Sequence, residues 1–156
     1  MADDTISVLN DLIETCKDGE NGFRKASEDA QDSSLKSLFS KYASQRATYA
    51  QELQQLVRAN GGDPAQSGHM AASLHRGWMS LKEAVSKRTD KAIIEEAETG
   101  EDAAMKNYQE ALGKPLPAQV QSEIQRQYSG VQEAHGIIRD LKHSGRTSVG
   151  TSTSSV

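Results

Sequence analysis

Glu20 and Glu101 occupy matching places in two copies of one short pattern, Gly-Glu-Asn/Asp-x-x-x-Lys, formed by Gly19, Glu20, Asn21 and Lys25 and again by Gly100, Glu101, Asp102 and Lys106. Apolar residues recur around both copies at alternating steps of three and four, which puts each carboxylate on the inward seam of a helix. Burying a carboxylate without a partner is costly, so two at equivalent places imply one shared polar site or its remnant. The adjoining glycines point the same way. A glycine inside a helix costs ~1 kcal/mol against alanine and is usually kept for close packing or a bend.

The chemistry such residues suit is binding of iron or another divalent metal. A carboxylate-bridged two-metal site in a helical bundle takes one Glu from each of two helices and a Glu-x-x-His pair from each of the other two. Glu20 and Glu101 fill the single positions, and Glu98, one turn earlier, adds a ligand from the same face as Glu101. The paired positions are not filled. Counting from each carboxylate to its hairpin partner, the second helix offers Arg46-x-x-Tyr49 and the last offers Gln132-x-x-His135, with Gln45-x-x-Thr48 the alternative in a register shifted by one. Arg46 cannot shed its proton, so it puts a cation where a metal needs an anion and is expected to pair with Glu20 or Glu101 instead. Gln132 has no charge, and Tyr49 is a weak ligand unless ionised. The metal set is therefore Glu20, Glu98, Glu101 and His135, and the core polar network is Arg46, Tyr49 and Gln132. No resident cofactor is expected, and the carboxylates have a structural role open to them as partners of Arg46, Tyr49, His135 or lysines.

Helices must position these groups. Ile6, Leu9, Ile13, Cys16, Glu20 and Phe23 form the seam of a first helix over 5–29. Asp32, Ser33 and Ser34 offer caps for a second, with Leu35, Phe39, Tyr42, Arg46, Tyr49, Leu53 and Leu56 on its seam. Asn60, Gly61, Gly62, Asp63 and Pro64 stop it. A shorter helical pattern with Met70, Leu74, Trp78, Leu81 and Val85 lies inside the connection that follows. Thr89 and Asp90 cap a helix carrying Ile94, Ala97, Glu98, Glu101, Met105, Tyr108 and Leu112, which Gly113, Pro115 and Pro117 end. Val120, Ile124, Tyr128, Val131, His135, Ile138 and Leu141 mark the last. The Ser/Thr/Gly-rich stretch over 144–156 has too little apolar surface to offset ordering entropy and is expected to be disordered.

No strand alternation is present, so the expected class is all-α, with residues 1–143 as one domain. Short links within two antiparallel hairpins, joined by a connection of about thirty residues that contains a short helix, fit a ferritin-like four-helix bundle with one long crossover.

Composition narrows the function. A net charge of -4 with both signs interspersed leaves no basic stripe for nucleic acid. No apolar run approaches the ~20 residues of a membrane span, and no helix has the basic polar face for a membrane surface. The start of the chain has no secretory pattern, and its single cysteine, Cys16, makes no internal disulfide, which together favour the cytoplasm. P-loop, dinucleotide, Cys-x-x-Cys, nucleophile-elbow and His-Glu-x-x-His motifs are all missing.

Two segments carry a family resemblance. Ser73, Leu74, His75, Arg76, Gly77 and Trp78, and the run from Glu95 through Glu98, Gly100 and Glu101 to Ala104, resemble a bacterial family of ferritin-like four-helix-bundle proteins of unknown function. The resemblance covers about 4–142 and implies a fold related to rubrerythrins and ferritins, with no established activity. The expected role is non-enzymatic: structural, stress-related or interactional, through self-association or a protein partner. A metal-dependent oxidoreductase is the alternative.

Overall fold

The computed structural model describes residues 2–64 and 89–144. The helical pattern over 70–85, with His75, Arg76 and Trp78, lies outside the described residues, as does the tail over 145–156. Among the described residues the chain is all-α, with four helices: α1 (Ala2–Asp29), α2 (Ser33–Ala59), α3 (Asp90–Leu112) and α4 (Ala118–Ser144). None is long and apolar enough to cross a membrane.

Polar side chains set the helix boundaries. The Asp32 carboxylate accepts from the Ser34 and Leu35 N–H groups at the start of α2, and Thr89 Oγ1 accepts from Ala92 N–H at the start of α3. Lys36 Nζ reaches back to the carbonyls of Ser27 and Glu28, satisfying the end of α1. α2 stops at Asn60, and Gly61 follows at φ +84°, a conformation that favours glycine.

Three observations fix how the helices run. Asp90, first in α3, accepts from the Gln31 and Asp32 N–H groups at 2.8 and 3.0 Å, which pins the start of α3 to the turn between α1 and α2. At the other end, Gly62 lies so close to Ile6 that a Cβ there would come within 2.7 Å of it, and Asn10 Nδ2 donates to the Asp63 carbonyl. The chain thus leaves α2 at one end of the molecule and enters α3 at the other. α1 is antiparallel to both α2 and α3, and α4 is antiparallel to α3 and lies beside α2, so α2 and α3 face each other across the diagonal.

The core divides into two layers. Phe23, Phe39, Tyr42, Ile93, Ile94 and Ile138 pack near the α1–α2 turn, and Leu9, Leu12, Ile13, Leu53, Tyr108 and Ile124 pack toward the far end. On α1, α2 and α3 the break between layers falls at one level, at Gly19, Arg46 and Glu101. A polar layer occupies it.

Candidate functional site

Arg46 and Glu101 meet across the diagonal at this level. Nη1 and Nη2 donate to Oε1 and Oε2 at 2.5 and 2.6 Å, with side chains only 2% and 1% exposed. Two parallel charge-assisted bonds are the geometry in which a buried ion pair best offsets its desolvation. Nε donates to Gln45 Oε1 at 3.1 Å, and the guanidinium lies 5.2 Å from the centre of the Phe23 ring. Gly19 makes room for it: a Cβ there would stand 3.4 Å from Arg46 Cγ. Burial pulls the Arg46 proton affinity down, but the charge and hydrogen bonds of Glu101 outweigh this and hold it above the ordinary arginine value.

A second polar chain runs beside the pair and touches all four helices. Cys16 Sγ on α1 lies 3.1 Å from Tyr108 Oη on α3, which donates to Gln127 Oε1 on α4 at 2.8 Å. Gln127 Nε2 then donates to the Tyr49 carbonyl and to Glu52 Oε1 on α2, and Arg126 donates to the same Glu52 oxygen at the surface. Buried Gln127 thereby uses both ends of its amide. Burial pushes the Cys16 thiol up to about 11, although the Tyr108 hydrogen bond opposes this, and it is the main reason the Tyr108 phenol stands well above its usual range. Thiolate chemistry is suppressed here.

The expected metal set does not converge. Glu20 is partly exposed in a groove between α1 and α2 and pairs with Arg24, one turn along the same helix, whereas Glu101 pairs with Arg46. Glu98 pairs with Lys142 at 2.7 Å on the edge between α3 and α4. His135 Nε2 lies 2.5 Å from Asp102, an exposed carboxylate on the same edge. Among the described residues no group of three or more His, Cys, Asp and Glu side chains is placed to hold a metal ion.

Of the expected polar network, Arg46 and Tyr49 are buried, but Gln132 is exposed on α4, and the glutamine that enters the core is Gln127. The reason is helical phase. Gln127, Val131, Ala134, Ile138 and Leu141 share the inward face, and Gln132 follows Val131 by about 100°. Spacing offered Gln127 and Tyr128 equally, since Gln127 stands three from Ile124 and four from Val131 and Tyr128 stands four and three.

The family described as Domain of unknown function (DUF2383) matches residues 4–114. The chain belongs to that family. No curated protein matches it. The matched span holds α1 from Asp4 onward, α2 and α3, and with them the Arg46–Glu101 pair, Gly19 and Cys16, whereas Gln127 and the rest of α4 lie beyond it.

Proposed function

We propose that this protein is a non-catalytic, ferritin-like helical bundle in which a buried Arg46–Glu101 pair stands in place of a two-metal centre. The bidentate contact between those side chains is the observation that carries the reading. Arg46 neutralises Glu101 and points a fixed positive charge at the level where metal ligands would gather, so cation binding there requires displacing an arginine that keeps its proton. Supporting the ferritin-like topology are two antiparallel pairs, α1 with α2 and α3 with α4, and a link that starts at one end of the molecule and finishes at the other. The role is structural, stress-related or interactional, exercised in the cytoplasm through the helical surface on a second copy or another protein.

Metal analysis tests this directly. Protein purified without chelator is expected to hold well under one iron per chain and, after anaerobic iron addition and exposure to air, to develop no oxo-bridged iron absorption. Binding of two irons per chain would replace this reading with the oxidoreductase alternative on Glu20, Glu98, Glu101 and His135.

A further inference from the structure

We propose that the seam between α2 and α4 is the edge along which the bundle opens, and that this opening brings the buried Cys16 thiol to solvent. The four sides of the molecule are unequal. α1 packs closely along α2, and α4 lies along α3, whereas the backbones of α4 and α2 approach each other at few points. A surface groove of about 460 Å³ enters that side between Leu56 and Ala59 of α2 and Gln119 and Glu123 of α4. Buried apolar residues of α4, Ile124 and Val131 among them, share a core layer with Tyr49 and Leu53 of α2, and at the rim of the seam the contacts are polar. Arg126 joins Glu52 at 2.6 Å, both side chains being open to water, and exposed ion pairs hold weakly. Behind them Gln127 ties α4 to the Tyr49 carbonyl, and the Tyr49 hydroxyl fills the space left by the missing side chain of Gly130.

The seam leads to one buried group that reports on it. Gln127 is hydrogen-bonded to Tyr108, and Tyr108 to Cys16, and Cys16 shares a buried layer with Tyr49 and Leu53 of α2 and Ile124 and Val131 of α4, so parting α4 from α2 at this level opens the layer that encloses the thiol. Closed, Cys16 is fully buried and held protonated, so a reagent must wait for an opening. Partial separation exposes Ile124 and Val131 of α4 but leaves the α1–α2 part of the apolar layer in place.

Cys16 is the sole cysteine, so labelling of the full-length chain with a small maleimide reads one site. Arg126→Ala should raise the labelling rate at least threefold while leaving the urea midpoint nearly unchanged. Lys142→Ala removes an exposed pair on the α3–α4 side and should change the rate less than twofold. Gly130→Ala separates the mechanisms further. Its methyl group collides with the Tyr49 hydroxyl and wedges the seam, yet alanine favours the helix, so labelling should accelerate without a fall in the urea midpoint. Equal rates in Arg126→Ala and Lys142→Ala would overturn the proposal. So would rates that follow the urea midpoint across all three variants, since exposure would then require global unfolding.

Discussion

The two Gly-Glu copies share a sequence pattern and a buried glycine, but their glutamates have opposite fates. In α1 the glycine faces inward, against Arg46, and Glu20 lies partly exposed in the groove beside α2 and turns to Arg24. In α3 the glutamate itself turns inward and takes Arg46. A single arginine on α2 accounts for the asymmetry, because its side chain crosses the core from one copy toward the other and requires space at the first and an anion at the second. A matching motif therefore does not imply a matching face. Both glycines are buried, so a shift smaller than the roughly 100° of one residue separates a core carboxylate from a partly exposed one.

The strongest way to break this comparison is to remove the inner carboxylate. Glu101→Ala leaves Arg46 buried without its anion, a change that costs about 3–5 kcal/mol when a buried pair is broken. Urea unfolding of Glu101→Ala and of an Arg46→Met, Glu101→Leu double variant should show the double as the more stable of the two, since apolar groups of similar volume commonly replace a buried pair at little loss. A loss under 1 kcal/mol in Glu101→Ala would mean that water reaches Arg46 and that the polar layer is not closed.

A second test uses pH. The inner copy is surrounded by buried neutral acids: burial raises Cys16 to about 11 and Tyr42 to about 12. A raised value in the folded protein means that the fold retains protons the unfolded chain releases. The associated stability is complete below the unfolded thiol value of about 8.5 and is lost as pH climbs through 11, on the order of 3 kcal/mol for Cys16 at about 1.4 kcal/mol per unit. Chemical denaturation between pH 7.5 and 11 should record this decline. Cys16→Ala should flatten it up to about pH 10, where tyrosine ionisation in the unfolded chain takes over. An unchanged slope in that variant would assign the decline to other groups.

Much of this fold was legible in the sequence because burial has a period. Leu9, Ile13, Cys16 and Phe23 on α1, and Leu35, Phe39, Tyr42, Arg46, Tyr49 and Leu53 on α2, are inward as their spacing requires, and Asp32 and Thr89 cap the helices expected of them. The pairing of Arg46 with Glu101 was also within reach, since an arginine on a seam needs an anion. Helical phase where polar residues interrupt the seam was not. Between Cys16 and Phe23 a step of four selects Glu20 and a step of three selects Gly19, and periodicity alone gives no preference. The same ambiguity hid Gln127 behind Tyr128. Its inward position depends on hydrogen bonds to Tyr108, Tyr49 and Glu52, three partners on two other helices, and local sequence does not contain them.

The smallest expected effect belongs to the outer copy and sharpens the contrast most. Glu20 pairs with Arg24 across one helical turn, with side chains 24% and 53% exposed. Water already solvates both charges, and pairs of this spacing contribute about 0.3–0.5 kcal/mol. Alanine also has the higher helix propensity, which offsets part of the loss. Glu20→Ala should therefore shift stability by no more than about 0.5 kcal/mol, against several for Glu101→Ala, with urea unfolding under identical conditions as the measurement. Added salt provides an independent check, because an exposed pair is screened and a closed one is screened much less. The small Glu20→Ala difference should shrink toward zero at 1 M sodium chloride, while the Glu101→Ala difference should persist. If Glu20→Ala instead costs more than 2 kcal/mol and that cost survives salt, Glu20 contributes to the buried polar layer after all, and the two copies are equivalent in energy despite facing different ways.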